Sequence, residues 1–527
     1  MEGKKRISGL KLALKTSIVS GMTLLSRILG LVRDIVFARF FGASLVMDAF
    51  LVAQRIPNML RRFFAEGAFS AGFVPVMARY KEQHEHGETR AYLDAMAGTF
   101  GVVLFLVTIA GVIGAPVLVL IVAPGFVGDG GDFDLAALML RFTFPYLFFV
   151  SLTAFAGGIL NTYGRFGVPA FTPVILNVVL IAAAIWVAPM LDEPILALAY
   201  AVFVAGLVQL LFQLPFLARI RAMPRPRWQP AHDGVRRAFR LMVPAIFGSS
   251  VAQINVLLSG IIASLLPVGS ISYLYYSDRL MEFPLGLFGI ALATVTLPYL
   301  SRLWANENRR EFSETLEWSM RIAVLIAVPA AVGLIVLATP LVITLFFGGE
   351  FDAKAVKLTV FALQAYAVGL VGFSFVKVLA PAFFAREDTR TPVRIGILAL
   401  LVNLVLGAST AWYLTSSGFV GPHTGLAAAT SVAALLNAAL LYRGLRRDDV
   451  VRHGPGWGML LLRVLLANVA MTAVLLQLHR ATEWWLDASL GDRVAWLGVS
   501  VVAGAATYFI VLVALGLRPA QFRLRHD

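Results

Sequence analysis

The chain has 527 residues, 59% hydrophobic and 14% charged, with a mean hydropathy of +0.82 and a formal net charge of +14. Soluble domains hold roughly 25% charged residues, so this composition excludes a pair of large soluble domains and indicates a protein that crosses a membrane many times. The lack of cysteine excludes disulfides, thiol catalysis and cysteine-ligated metals, and the insertion rule that places basic residues on one side of a membrane explains the positive charge without a nucleic-acid partner.

Fourteen apolar segments are long enough to cross a bilayer, for which about 20 residues are needed. The basic N-terminus leads into the first segment, which Arg27 interrupts, so we interpret it as a retained helix and not as a signal peptide. The pattern predicts an all-α polytopic membrane protein with 14 transmembrane helices and short connections. The segments lie near residues 17–40, 46–78, 92–122, 136–162, 170–190, 194–218, 240–266, 271–301, 319–345, 357–385, 392–413, 424–442, 459–479 and 494–516.

The longest connection contains the basic, proline-broken sequence PRPRWQP and divides the predicted helices into two groups. We predict an N-terminal lobe of six helices over residues 1–218 and a basic cytoplasmic linker with a short interfacial helix over residues 219–239. A second six-helix lobe is predicted over residues 240–446, and two further helices with a cytoplasmic tail over residues 447–527.

A weak internal repeat supports this division. The sequence DAFLVAQRIPNML in the first half aligns with SYLYYSDRLMEFP in the second, which places Arg55 over Arg279, and TPVILN corresponds to TPVRIG. Transporters are commonly built from such repeats, with the substrate site at the interface between them. We therefore expect two lobes related by a pseudo-twofold repeat.

The distribution of basic residues predicts the orientation. With the N-terminus in the cytoplasm and alternating sides, the cytoplasmic segments hold 31 Lys and Arg residues, the periplasmic segments hold 4, and 9 lie within or at the edges of spans. A missing or additional helix would have removed this asymmetry. Both termini are therefore predicted to be cytoplasmic.

Several arginines lie inside the apolar segments. Arg27 and Arg33 fall in the first segment, Arg55 and Arg61 in the second, and Arg279 in the eighth. One charge at the bilayer centre costs about 2.5 to 3.5 kcal/mol, and three without compensation would cost roughly 8 to 10 kcal/mol. Because such groups are tolerated where they face water or meet an anion, we predict a cationic cavity and a negatively charged cargo.

Helical spacing predicts which faces line this cavity. In the first helix, Ser20, Arg27 and Asp34 are seven residues apart and share one stripe, while Arg33 lies on another face. Asp34 is also adjacent to Arg33 in sequence, so it is equally interpreted as a partner that holds the arginine in place.

The second and eighth predicted helices show related patterns. Asp48, Arg55 and Arg62 repeat the seven-residue spacing, with Asn58 close to the same face. The eighth helix groups its charges within one turn, at Asp278, Arg279 and Glu282. The two acids there are interpreted either as part of the cavity or as structural partners of the arginine, and Lys377 in the tenth helix has no assigned role.

Motifs for catalysis are lacking. The sequence contains no Walker A motif, no HExxH and no GxSxG. We predict a transporter and not an enzyme, with no cofactor and no metal site. Without an ATPase motif, transport must use a gradient or the membrane potential, and the sequence leaves membrane potential, protons and sodium open.

The stretch SRILGLVRDIVFARFFGASLVMDAFLVAQRIPNMLRRFFAEGAFSAGFVPV closely resembles the opening of the MurJ (MviN) family, the lipid II flippases of the MOP exporter superfamily. YYSDRLMEFPLGLFGIALATVTLPYLS, LNTYGRFGVPAFTPVILN and KVLAPAFFAREDTRTPVRI are similar as well. The resemblance covers nearly the whole chain. It implies two lobes in a V shape around a cationic cavity, with helices thirteen and fourteen forming a groove for the undecaprenyl tail.

The resemblance also implies roles for individual residues. The family's essential cavity arginines fall on Arg27, Arg33, Arg61 and Arg279, and its essential aspartate falls on Asp48. Further motif positions fall on Ser26, Asp34, Asn58, Asp278 and Glu282, and Arg55 occupies a position that is often lysine. Some members are proposed to bind sodium through acidic ligands in the C-terminal lobe; the eleventh helix offers Asn403 without a carboxylate, which argues against that site in this chain.

The expected function is that of a lipid II flippase in a bacterial cytoplasmic (inner) membrane, moving the undecaprenyl-pyrophosphate-linked MurNAc-pentapeptide-GlcNAc precursor to the outer leaflet for peptidoglycan synthesis. The expected partners are lipid II, membrane lipid and cell-wall synthesis enzymes, without nucleic acid, and the expected state is a monomer. A flippase for another polyprenyl-linked glycan and a non-transporting scaffold are the alternatives, along with a drug/cation antiporter, which the arginines disfavour because they repel organic cations.

Overall fold

Helices form all the regular elements of the chain in the residues that the structure, a computed structural model, describes: 2–62, 68–83, 85–128, 132–286, 290–451 and 456–517. Within these ranges the extended pairing is limited to an isolated bridge between Gly348 and Phe351. The chain is therefore all-α, as the hydropathy pattern predicts.

The chain divides into two compact units, and the first extends from Met1 to Val268. Its helices are α1 (Glu2–Phe41), α2 (Leu45–Arg61), α3 (Ala68–Gln83), α4 (His86–Ile113), α5 (Ala115–Val122), α6 (Phe133–Thr143), α7 (Tyr146–Thr162), α8 (Gly167–Ala182), α9 (Leu196–Arg219) and α10 (Asp233–Ser264). Within this unit α1 packs on α8, α2 on α6, and α10 on α3.

The second unit extends from Gly269 to Asp527. Its helices are α11 (Ser270–Pro284), α12 (Ile290–Ala305), α13 (Arg309–Val336), α14 (Ala338–Phe346), α15 (Ala353–Phe384), α16 (Arg390–Ser416), α17 (Thr424–Arg447), α18 (Trp457–Gln477), α19 (Thr482–Asp487) and α20 (Leu490–Ala514). Here α15 is central, since α11, α12, α13, α14 and α17 all pack against it.

Ten helical segments in the described residues are long and apolar enough to cross a membrane, and they correspond to ten of the fourteen predicted spans. The other four predicted spans fall on α1, on α2 and α3, on α10, and on α11 and α12. In α1 the charges of Arg27, Arg33, Asp34 and Arg39 lower the apolarity, whereas α2 and α11 hold only 17 and 15 residues. The chain is thus a multi-pass membrane protein, and the count of fourteen stays a prediction.

Polar side chains fix several helix starts. Ser44 accepts a hydrogen bond from the backbone N–H of Met47 at the start of α2, and Asp352 accepts one from Ala355 at the start of α15. These caps satisfy backbone donors that a helix leaves unpaired in its first turn. The helix boundaries therefore follow from local sequence as well as from apolar length.

The boundary between the units differs from the predicted division. The sequence places it in the linker of residues 219–239, whereas the compact units divide after Val268, so that α10 belongs to the first unit. The predicted interfacial helix near residues 234–239 is the beginning of α10, which continues to Ser264. The assignment of six helices to each lobe stays a prediction.

Small residues bring α15 and α17 together. A Cβ on Gly369 would lie 2.5 Å from the Ser431 hydroxyl oxygen, and one on Gly372 would lie 2.6 Å from the backbone nitrogen of Leu435. The Ser431 hydroxyl also donates a 2.6 Å hydrogen bond to the carbonyl of Ala365. Close backbone approach of this kind stabilises helix pairs where lipid provides no hydrophobic driving force.

Candidate functional site

The two arginines of α1 occupy different environments. Because α1 is one continuous helix, Arg27 and Asp34 lie on the same stripe, as their spacing predicts. The Arg27 side chain is exposed, and it forms no hydrogen bond or ion pair with the described residues. Arg33, six residues later, is only 9% exposed. Burial thus separates two arginines that sequence reasoning assigned to the same substrate.

A polar network surrounds Arg33. Its Nε and Nη2 atoms donate hydrogen bonds of 3.0 and 2.7 Å to Asp34 Oδ1, and Nη1 donates a 3.1 Å bond to Asn177 Oδ1 on α8. Asp34 is 2% exposed and Asn177 is buried as well. The guanidinium also lies 5.6 Å from the ring centre of Phe37. A charge removed from water needs such compensation from a counter-charge and hydrogen bonds.

The same network extends to the residue before Arg27. Asn177 donates a 3.0 Å hydrogen bond from Nδ2 to the carbonyl oxygen of Ser26. One amide of α8 therefore holds two points of α1, seven residues apart in sequence. Asn177 consequently positions the backbone from which the exposed Arg27 side chain extends.

On α2, the predicted acidic residue lies near the beginning of the helix. Asp48 is in the first turn and is 3% exposed. A carboxylate at this place interacts favourably with the partial positive charge of a helix N-terminus. Asp48 lies at one end of α2 and the arginines lie at the other end, as the sequence order requires. The role of Asp48 stays a prediction.

Arg55 packs closely against α10. The guanidinium Nη1 atom lies where a Cβ on Gly260 would be, so any larger residue at position 260 would overlap it. Arg55 is half-buried, as is Asn58 one turn later. Gly260 therefore makes space for the arginine side chain.

Two adjacent arginines lie at the C-terminal end of α2, where Arg61 is its last residue and Arg62 is its C-cap. Arg61 is partly buried, whereas Arg62 is exposed and donates a 3.4 Å hydrogen bond from Nη1 to Gln253 Oε1 on α10. Basic side chains at a helix C-terminus are favoured by the helix dipole. Arg61 lies on the face that the sequence assigned to the cavity, beside the Arg55 stripe.

In the second unit, α11 presents the predicted cluster within one turn. Arg279 Nη1 lies 3.2 Å from Glu282 Oε2, and the two side chains are 39% and 50% exposed. The guanidinium also lies 5.1 Å from the ring centre of Tyr275. Asp278 next to it is half-buried. Exposed pairs of this kind contribute little to stability, so this guanidinium can exchange its carboxylate for another anion at low cost.

The described residues contain no group of three or more His, Asp or Glu side chains arranged to hold a metal ion. Asn403 on α16, the side chain predicted to lack acidic neighbours, is buried and accepts a 3.2 Å hydrogen bond from the Thr430 hydroxyl. The position of Asn403 is therefore explained by its contact with α17.

The predicted site residues form three groups. Ser26, Arg27, Arg33 and Asp34 lie on α1, Asp48, Arg55, Asn58 and Arg61 lie on α2, and Asp278, Arg279 and Glu282 lie on α11. Sequence reasoning missed Asn177, which joins the first group to α8, and the contact of Gly260 with Arg55, which joins the second group to α10. A lone asparagine in the apolar segment TPVILN was a usable signal, whereas nothing local pairs Gly260 with Arg55.

Comparison with known proteins relates the chain to a family. The model of the family described as "Lipid II flippase MurJ" matches residues 37–495. The chain is 46% identical over 508 residues to a probable lipid II flippase MurJ of Vibrio cholerae, with 95% of each chain covered. It is 43% identical over 512 residues to the lipid II flippase MurJ of Burkholderia cenocepacia, with 96% of this chain and 98% of that one covered.

Solved structures show the same fold. The structure of a lipid II flippase MurJ in an inward closed conformation matches with a TM-score of 0.77 at 25% identity, covering 94% of this chain and 97% of that one. An inward-facing multidrug resistance transporter of the MATE family in the MOP superfamily matches with a TM-score of 0.67 at 15% identity, covering 82% of this chain and 98% of that one. The second likeness concerns the fold alone.

Proposed function

The chain belongs to the lipid II flippase MurJ family, and from this premise we propose how its own arginines serve the transport of lipid II. It is a lipid II flippase, a multi-pass membrane transporter and not an enzyme. Lipid II contains a pyrophosphate and peptide carboxylates. A planar guanidinium donates two hydrogen bonds at once to such groups.

The exposure of Arg27 is the observation on which the proposal mainly rests. This guanidinium lies in a membrane-length helix without a partner among the described residues, although a mid-membrane charge is costly unless water or an anion meets it. Arg27 therefore binds the pyrophosphate or a neighbouring acidic group. Arg61 on α2 and Arg279 on α11 contribute further donors, with Asn58 and Arg55 beside the former.

Arg33 has a different part in this proposal. Its guanidinium is occupied by Asp34 and Asn177, so it holds α1 against α8 in the conformation described here. Direct contact of Arg33 with the substrate requires that this network opens first. Asp34 thus forms an ion pair with Arg33 when the substrate is absent. Glu282 has the same role toward Arg279.

The tail of the substrate lies along α18 and α20. These helices pack together and bury Leu460, Val464, Met471, Tyr508 and Leu512 in a shared core. Their outer faces expose large apolar side chains, namely Leu461, Leu465 and Val469 on α18 and Val502, Phe509 and Val513 on α20. An apolar surface of this length accommodates an undecaprenyl chain while the headgroup is bound elsewhere.

Transport proceeds by alternating access in the bacterial inner membrane, with both termini in the cytoplasm and a monomer as the transporting unit. The excess of basic residues in the segments assigned to the cytoplasm supports this orientation. The arginines bind the headgroup with similar strength in both states, because a carrier that held one state much more tightly would not turn over.

The test is lipid II translocation by the purified full chain in proteoliposomes. Arg27→Ala and Arg279→Ala should each reduce translocation by tenfold or more, an effect equal to roughly 1.4 kcal/mol of transition-state binding, whereas Arg390→Ala, an exposed arginine at the start of α16, should not. Normal flipping by Arg27→Ala at normal expression would refute its role. Varying the potential, the proton gradient and the sodium gradient separately identifies the energy source.

Complementation separates the remaining substrate alternative. A strain depleted of its lipid II flippase should grow when it expresses this chain and should not grow with the Arg27→Ala variant. Growth failure with the unaltered chain, at normal membrane levels, would favour a flippase for another polyprenyl-linked glycan.

A further inference from the structure

The connection between α9 and α10 is held in place by α4. This segment, residues 220–232, is here called the strap. The backbone N–H of Arg225 donates a 2.6 Å hydrogen bond to Asp94 Oδ1, and that of Arg227 donates a 2.9 Å bond to the Asp94 carbonyl. The N–H of Gln229 lies 3.4 Å from the Thr99 hydroxyl. Asp94 is 5% exposed. A segment that the sequence suggested was a linker is therefore fixed along its length.

A glycine allows this close approach. A Cβ on Gly98 of α4 would collide with the backbone of Arg227. The far end of the strap is fixed by His232, whose Nδ1 accepts a 3.1 Å hydrogen bond from the N–H of Gly234 at the start of α10. The His232 ring lies about 6 Å from those of Tyr80 and Tyr92.

The side chains of this region are strongly basic and face outward. Residues 219–240 contain seven arginines and one aspartate, Asp233. These arginines, here called the basic patch, are all exposed, and none of their guanidinium groups has a hydrogen bond or ion pair with the described residues; they are Arg219, Arg221, Arg225, Arg227, Arg236, Arg237 and Arg240. Trp228 in their midst is 58% exposed and Met223 is 39% exposed.

The strap begins where an apolar span ends. It leaves α9 directly after the apolar span Leu196–Arg219, and it contacts α4 at Asp94 and Thr99, within the span His86–Ile113. Guanidinium groups beside an exposed tryptophan, next to the end of an apolar span, are typical of the boundary between headgroups and acyl chains.

We propose that the strap and its basic patch form a pre-organised binding surface for the headgroups of anionic phospholipids. The arginines bind the phosphodiester groups and Trp228 inserts at the boundary. Anionic lipid attracts basic side chains near the surface strongly enough for several of them to act together. Because α4 already fixes the strap backbone, little conformational entropy is lost on binding.

The experiment uses the full chain in nanodiscs that contain brominated phosphatidylglycerol or brominated phosphatidylcholine. Bromine quenches tryptophan fluorescence at short range, and subtracting the signal of Trp228→Phe isolates Trp228 from the other tryptophans. We expect brominated phosphatidylglycerol to quench Trp228 at a lower lipid fraction than brominated phosphatidylcholine does. The fraction required for the same quenching should be about tenfold lower. Replacing Arg225, Arg227, Arg236 and Arg237 by Gln should abolish this preference.

A matched control removes the same charge elsewhere. Arg390, Arg394, Arg446 and Arg447 are exposed arginines of the second unit without an ion pair to the described residues, and their replacement by Gln should leave the quenching of Trp228 unchanged. An equal loss of preference in both quadruple variants would overturn a specific surface, because net charge alone would then explain the result.

A charge-neutral change tests the role of the strap backbone. Gly98→Ala should displace the strap and weaken the phosphatidylglycerol preference, and the milder Thr99→Val should weaken it less. If Gly98→Ala prevents folding, Thr99→Val alone decides. Equal quenching by both lipids would overturn headgroup selectivity. Quenching by neither would overturn the proposal, since the strap would then face water or a protein partner.

Discussion

Arg33 on α1 and Arg279 on α11 both lie in helices of a membrane protein, but their surroundings differ. Arg33 is 9% exposed and held by Asp34 and Asn177, whereas the Arg279 side chain is 39% exposed and meets Glu282 at 3.2 Å. The first pair is enclosed by protein, whereas the second lies at the surface of the chain. The comparison therefore contrasts a charge enclosed by structural partners with a charge that is proposed to bind the substrate.

The largest effect is expected from Asp34→Leu. It removes the Asp34 carboxylate from the buried Arg33 guanidinium, which should reduce the free energy of unfolding by about 3 to 5 kcal/mol. The measurement is unfolding in mixed detergent micelles with increasing dodecyl sulfate. An unchanged midpoint would show that Arg33 reaches water without its partner, and the contrast with Arg279 would disappear.

The next effect concerns the start of α11, which is held more firmly than its charged end. Tyr273 near this start lies 5.0 Å, ring centre to ring centre, from His423, which is 1% exposed and bonded through Nε2 to the Leu358 carbonyl at 2.9 Å. Burial lowers the pKa of His423 from 6.5 to about 4, against the opposite influence of the Leu358 hydrogen bond.

The folded protein thus binds fewer protons at His423 than the unfolded chain between pH 6.5 and 4. The associated stability is present above pH 6.5 and is lost as the pH falls toward 4, with a total of about 3 kcal/mol. Unfolding midpoints measured across this range should show that slope. The slope should be absent in His423→Gln, which keeps a side-chain donor; an equal slope in the variant would assign it to other groups.

An intermediate case is Arg55, which contacts α10 through the space at Gly260. Gly260→Ala should cost about 1 kcal/mol because the guanidinium must move aside. In an Arg55→Ala background the same change should be neutral or stabilising by up to about 1 kcal/mol, since alanine favours helix. A double-mutant cycle on unfolding free energies measures this coupling. If Gly260→Ala changes the unfolding free energy equally in both backgrounds, its effect does not depend on the Arg55 side chain.

The smallest stability effect is expected from Glu282→Leu, the counterpart of Asp34→Leu in the exposed pair. It should change the free energy of unfolding by about 0 to 1 kcal/mol. Translocation of lipid II should nevertheless change, because the carboxylate that competes for Arg279 is removed. A loss of stability as large as that of Asp34→Leu would show that the α11 pair is structural too.

Outside the spans, the loop between α15 and α16 shows how neighbouring groups determine the pKa of one carboxyl, that of Asp388. Burial alone would raise the pKa of the Asp388 carboxyl, but hydrogen bonds from the Thr391 side chain and from the backbone N–H groups of Thr391 and Arg390 outweigh it and hold the pKa below its usual value. The loop sequence REDTRTP places these donors within three residues of Asp388. A pattern this local is accessible to sequence reasoning.

Sequence reasoning identified the helices because membrane length and apolarity are local properties. Ten of the predicted spans correspond to helical segments able to cross a membrane, and the charges that mark α1 as unusual were visible in the sequence. The family and the transport of lipid II followed from long motifs that the comparisons confirm. The assignment of α10 to the second lobe stays a prediction, and sequence order alone does not reveal that α10 packs on α3.

The tertiary structure decided which arginine is buried. Arg27 and Arg33 are six residues apart on one helix, and the family resemblance implies one role for both. Arg27 is nevertheless exposed, whereas Arg33 is enclosed by Asn177, which lies 144 residues later in the chain. The physical reason is that burial depends on which face of a helix meets its neighbour. Packing between segments that are distant in sequence determines which face this is. Helix length, apolarity and the order of charges depend instead on neighbouring residues of the chain.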